Sequence, residues 1–207
     1  MFDSKRILDQ VISSGFLGGM AGGAAGAAAI NALSSKKAKK YAGTALKAGG
    51  VALIGGLAYK AWRHYKDEPD NSMTTPPSEF LPESPDESNE LNLLLVRAMI
   101  TAARADGRID EDENKAIMTR ISEMQLDDSE RAYLFEQFST PVDVQALARE
   151  AKSEAQAAEV YAASSMIVVP PSPTEQRYLA ALGTALNLPE GLREQIHRTV
   201  NEGPIAA

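Results

Sequence analysis

Residues Ala102–Glu113 read Ala-Ala-Arg-Ala-Asp-Gly-Arg-Ile-Asp-Glu-Asp-Glu, and their reading decides the fold. Apolar residues at helical spacing precede the stretch (Leu91, Leu94, Leu95, Ala98, Ala102) and follow it (Ile117, Ile121, Met124). A helix is expected to end near Ala105, with Gly107 in the left-handed conformation after it. Asp110 caps the next helix and Glu113, three residues on, completes a capping box. The stretch is thus a junction between two helices.

The same residues carry the strongest chemical signal in the chain. Asp106, Asp110, Glu111, Asp112 and Glu113 crowd five carboxyls into eight residues. Asp106 stands at a helix C-terminus, where the macrodipole disfavours an anion by about 0.3–1 kcal/mol. Arg104 and Arg108 can neutralise this charge, and so can a divalent cation of the calcium or magnesium type. The order Asp-Gly-x-Ile-x-x-x-Glu matches the second half of an EF-hand loop, with Asp106 fifth, Gly107 sixth and Glu113 twelfth. The first and third ligand places then fall on Ala102 and Arg104, which offer no side-chain oxygen. A cation here takes its remaining oxygens from elsewhere in the domain or from water. A capped turn that binds nothing and a cation site both stay open on this reading.

Working outward, helical periodicity fills residues 89–207 and no alternating strand pattern is found. Further stripes are Leu134, Phe135 and Phe138; Val144, Leu147 and Ala148; Ala155, Ala158, Ala162 and Met166; Tyr178, Leu179, Leu182 and Leu186; and Leu192, Ile196 and Val200. Start signals agree: Asp128-Ser129, Pro141, Ser172-Pro173 and Pro189. A seven-helix all-α bundle around one core is expected for 89–207. Ahead of it, residues 67–88 hold five of the eleven prolines and seven acidic residues with no basic one, the composition of a solvated acidic, Pro-rich linker.

Residues 1–66 differ. They carry ten Lys/Arg against Asp3 and Asp9, whereas 67–207 carry eleven Lys/Arg against twenty-six Asp/Glu. From Val11 to Ser35 there are twenty-five residues without a formal charge, enough for a bilayer-spanning helix, which needs about 20. Gly18, Gly22 and Gly26 recur every four residues and lay a smooth face on such a helix, suited to close packing in lipid and to self-association. A second weakly apolar segment runs from Tyr41 to Trp62, with Lys36, Lys37, Lys39 and Lys40 between the two and Tyr41, Tyr59, Trp62 and Tyr65 near segment ends. These features predict a Gly/Ala-rich membrane helical hairpin over 1–66, in contact with inner membrane lipid. A flexible leader, an in-plane amphipathic segment and a cleaved secretory signal are the alternatives, the last opposed by Asp9.

The absence of cysteine from the sequence excludes disulfides, thiolate metal sites and cysteine nucleophiles. His64 and His197 are the only histidines, too few for a histidine-rich metal centre, and His197 is expected at the surface of a late helix.

The stretches Ala102–Glu113 (AARADGRIDEDE) and Glu175–Leu188 (EQRYLAALGTALNL) are where residues 93–198 resemble the YebE-like branch of the tellurite-resistance TerB-like families. The N-terminal GFLGGMAGGAAG and KKAKKYAGTALKAGG are similar to the front of YebE-like inner membrane proteins. The resemblance implies a compact helical domain with an acidic metal-binding site, tethered to the bacterial inner membrane and without an established enzymatic activity. Its first acidic motif carries over onto Asp106, Asp110 and Glu113. Of the second, just before the sixth helix of the bundle, Glu175 remains; Val169 and Pro171 stand where Asp is frequent. Glu175 also reads as the end of a capping box, Ser172-Pro173-Thr174-Glu175.

A non-enzymatic TerB-like module is therefore expected, binding a divalent cation and a protein partner in envelope or tellurite-type stress. A purely structural helical domain is the alternative. A metal-assisted hydrolase using Asp106, Asp110 and Glu113 lacks a nucleophile motif or phosphate loop beside them. Nucleic-acid binding through Lys36–Lys40 is not expected, because the acidic remainder of the chain opposes it.

Overall fold

The computed structural model describes residues 2–14, 49–66, 80, 82, 84–105, 111–168 and 171–202. Among these residues the protein is all-helical, with nine helices and no strand: α1 (Ser4–Ser13), α2 (Gly50–Tyr65), α3 (Pro85–Ala103), α4 (Glu111–Glu123), α5 (Asp128–Ser139), α6 (Val144–Glu150), α7 (Glu154–Ile167), α8 (Pro173–Ala185) and α9 (Glu190–Glu202).

Local chemistry sets most of the starts. Asp3 caps α1 by accepting from the Arg6 N–H at 3.0 Å, and Ser84 caps α3 by accepting from the Glu87 N–H at 3.1 Å. Pro85, Asp86 and Glu87 belong to the first turn of α3, so residues 85–88, expected as the end of an acidic Pro-rich linker, are helical. Proline at the first helical position has no N–H to waste, and acids there favour the helix dipole. Asp127 and Glu130 form a capping box on α5, Asp143 caps α6 and Ser153 caps α7. At the end of α8, Asn187 adopts φ 54°, and the N–H groups of Asn187 and Leu188 return to the carbonyls of Thr184 and Gly183, each at 3.0 Å. That is a Schellman closure.

Helix α7 is the axis of the fold. It packs against α2, α3, α8 and α9, and all eleven residues from Ala155 to Ser165 are buried. The alanines and serines among them let neighbouring helices approach from several sides.

The N-terminal region joins the same core, which corrects the membrane hairpin. Ile7, Leu8, Val11 and Ile12 of α1, and Leu53, Ile54, Leu57, Ala58 and Ala61 of α2, are buried in one cluster with the side chains of α3 to α9. Helix α2, the described part of the expected second membrane segment, has 16 residues. At 1.5 Å per residue it is about 24 Å long, against about 30 Å of hydrocarbon. No helix among the described residues is long and apolar enough to cross a membrane, so the bacterial inner membrane location is not upheld. Physically, glycine and alanine allow close helix approach against a protein core as readily as in lipid. The first segment, with Gly18, Gly22 and Gly26, lies outside the described residues.

Helices α1 and α2 meet tightly. The Asp9 carboxylate accepts from the Gly50 N–H at 2.6 Å and so caps α2. A Cβ on Gly50 would stand 2.7 Å from Ile12 Cδ1 and 2.9 Å from Leu8 Cγ. Gly49 before it takes φ +85°, open to glycine without strain. On its other side α1 is held by Glu130, which accepts from the Asp3 N–H at 2.9 Å and from the Arg6 guanidinium.

Leu8 is fully buried. Leu8→Ala is expected to lower the free energy of unfolding of the whole chain by about 2–5 kcal/mol, read from the denaturant midpoint. An unchanged midpoint would place α1 outside the cooperative unit.

Candidate functional site

The acidic junction begins where α3 ends. The Arg104 N–H returns to the Ile100 carbonyl and the Ala105 N–H to the Ala102 carbonyl, each at 3.1 Å. Asp106 and Asp110 lie outside the described residues. Glu113 lies in α4, but its side chain is also outside them. Arg104 reaches the C-terminal end of α5. Its guanidinium donates to the carbonyl of Thr140 and, at 3.5 Å, to that of Gln137. It closes the C-terminal end of α5, where a cation suits the helix dipole. Partial burial of Arg104 lowers its pKa.

Glu175, the fourth expected ligand, is engaged elsewhere. It is buried, its Oε2 accepts from the Ser172 N–H at 2.6 Å, and the Ser172 hydroxyl accepts from the Glu175 N–H at 3.3 Å. This capping box fixes the start of α8, with Pro173 in its first turn. A carboxylate turned into its own helix start does not fit a metal ligand. Among the described residues no group of three or more His, Asp or Glu side chains is placed to hold a metal ion. Ser172→Ala is expected to destabilise the protein by about 0.5–2 kcal/mol in denaturant unfolding.

The periodicity of α7 misses a second polar set inside the bundle. Glu159, on the Ala155–Ala162 helix, is 1% exposed, and its Oε1 has no hydrogen-bond partner. Burial raises its pKa to about 8. Two residues on, the Tyr161 hydroxyl meets His197 Nε2 at 3.0 Å, and the two rings stack at 5.4 Å with an interplanar angle of 17°. His197 is half-buried, not at the surface as its late-helix position suggests. Burial, and then the neighbouring Arg193, lower its pKa. Arg193 lies across Gly183, where an added Cβ would stand 2.3 Å from Arg193 Cδ and 3.1 Å from the Tyr161 ring. One signal for this set was present: between Ala155 and Ser165 no charged face interrupts the small and apolar residues, so Glu159 has no polar side on which to sit.

The Glu159 carboxyl gives stability a defined pH dependence. Its folded value stands above the ordinary 4.5. Between about pH 4.5 and about pH 8 the folded chain therefore keeps a proton that the unfolded chain has released. Its contribution is fully present below that window and is lost as pH rises through it. Glu159→Gln is expected to flatten this decline and to exceed the parent protein in stability by about 2–4 kcal/mol above the window. Denaturant unfolding at a series of pH values checks this. An unchanged slope in the variant would show that the carboxyl is not held neutral in the fold.

Residues 18–200 match the family model described as "Protein of unknown function (DUF533)". An uncharacterised protein from the ampR 5′ region of Yersinia enterocolitica is 32% identical over 108 residues, which are 52% of this chain and 78% of that protein. No solved structure matches the chain. With the matched span taking in every helix from α2 to α8 and most of α9, the chain belongs to DUF533, a TerB-like family of unknown function.

Proposed function

We propose that the protein is a non-enzymatic helical module whose acidic junction binds a divalent cation of the calcium or magnesium type through Asp106, Asp110 and Glu113, and presents the loaded loop to a protein partner. Arg104 is the observation that supports this. It enters the junction from α3 yet is committed to the carbonyls of Gln137 and Thr140. Within Asp106–Glu113 the sequence sets five carboxyls beside one basic residue, Arg108. Crowded carboxylates raise one another's pKa and favour a hard cation as the compensating charge. Glu175 is not in the set, because it is spent on the start of α8. With three protein carboxylates where calcium takes about six to eight oxygens, water supplies the rest and affinity falls in the range of about 10⁻⁴–10⁻³ M. The TerB-like character of the family accords with a role in tellurite-type stress.

The test uses the full chain, because truncation at residue 89 would remove the buried side chains of α1 and α2. Calcium and magnesium are titrated by calorimetry and by amide NMR, with Asp110→Asn/Glu113→Gln as the control. Saturable shifts in the amides from Ala105 to Ile117, abolished in the control, are expected. No shift up to about 10 mM ion would leave Asp110 and Glu113 as a helix cap and overturn the proposal. A hydrolytic activity lost on Asp110→Asn alone would contradict its non-enzymatic part.

A further inference from the structure

Three glutamates are buried among the described residues, and two of them accept hydrogen bonds. Glu130 accepts from the backbone of Asp3 and Asp127 and from Arg6. Glu175 accepts from the backbone of Ser172. Glu159 differs: it is as deeply buried as they are, and its Oε1 faces no donor.

What Oε1 does face is bare backbone. The point where a Cβ would stand on Gly55 of α2 is 2.9 Å from Glu159 Oε1 and 3.5 Å from the carbonyl oxygen of Phe80. Phe80 is itself buried, with its ring 5.4 Å from that of Tyr59 and 6.3 Å from that of Trp62. Gly55, Glu159 and Phe80 therefore meet at one place, and the aromatic side chains of α2 hold Phe80 over it.

We propose that Glu159 is a proton-controlled latch between α7 and α2: protonated, it lies against Gly55 beneath Phe80; ionised, it draws water to that point and displaces Phe80 from Tyr59 and Trp62. The protonated carboxyl is uncharged, and the Phe80 carbonyl faces the same point on Gly55 as Glu159 Oε1 does. Loss of the proton to solvent leaves a charge that a buried site without a counter-charge does not tolerate. No cation from the surrounding helices meets it. On α2, Lys60 pairs with Glu202 at 3.4 Å, Arg63 lies over the Tyr59 ring, and Lys66 lies over the rings of Trp62 and Tyr65, with His64 between them in sequence. On α3, Arg97 pairs with Glu150. On α8, Arg177 bonds to Pro173 and Thr174. On α9, Arg193 covers Gly183 and His197 is bonded to Tyr161, while Glu194 and Arg198 are exposed. Burial alone acts on the Glu159 carboxyl. The opening is local, because Leu53, Ile54, Leu57, Ala58 and Ala61 keep α2 in the core.

Trp62 is the only tryptophan in the chain and stands beside Phe80, so its fluorescence reads the latch. Acrylamide quenching of Trp62 is followed in the full chain from about pH 5 to about pH 10, with far-UV circular dichroism in parallel. An approximately twofold rise in quenching is expected, centred near pH 8 and without loss of helix. Glu159→Gln is expected to keep the low-pH behaviour throughout. Phe80→Ala, a second variant that leaves α7 intact, is expected to be quenched strongly at every pH. The absence of a transition in the parent protein overturns the proposal. So does a transition that survives Glu159→Gln, or one that runs in step with helix loss.

Discussion

A helix buried around its whole circumference has no side on which to place a large or charged residue without a specific partner, and α7 is such a helix. It settles the rest of the structure. Ala157, Ala158, Ala162 and Ala163 keep its surface low, so α2 and α3 pack against it together with α8 and α9. Interiors packed to crystal-like density leave little slack for such an axis. Its polar residues mostly turn their groups into structure: Gln156 accepts from the Lys152 N–H at 2.8 Å, and the Ser164 hydroxyl donates to the Ala98 carbonyl at 3.3 Å. Glu159 and the Ser165 hydroxyl depart from that rule.

Around this axis, charged side chains serve as joints between elements remote in sequence. Asp9 caps α2, Arg104 closes α5, and Glu130 both completes its own cap and holds the start of α1. Each joint satisfies backbone groups that a helix end leaves without partners. The ends are thereby tied to particular neighbours, which gives the assembly a specificity that apolar contact alone lacks.

Local features of the sequence reveal the helices and most of their caps, because a cap is written within four residues. The Ser172–Glu175 box is an instance, and so is Pro189 ahead of α9. The role of α1 and α2 is not legible in this way. For α2, a weakly apolar run with glycine and alanine has the same composition whether its smooth face meets a helix in lipid or a helix in a protein core, and the partner that decides between them, α7, lies about 100 residues downstream. Pro85-Asp86-Glu87 reads as linker or as helix start according to whether Ser84 is recognised as the cap. At the acidic junction the carboxyl cluster is plain in the sequence. That Arg104 spends its charge on α5 is a long-range fact that spacing does not contain.

The closures between the two ends of the chain have a bearing on synthesis. Asp3 bonds to Glu130, Ser4 to Asn89, and Lys60 to Glu202, so α1 waits for partners made much later, and α2 is completed by α9, the last of the described helices. During translation the apolar stripes of α1 and α2 stand without their cover, and the core cannot close until α9 has left the ribosome. Long-range closure of this kind slows folding and exposes sticky surface on the way. A nascent chain arrested before residue 190 would therefore present its N-terminal helices to chaperones and proteases as though they had never been part of a folded protein.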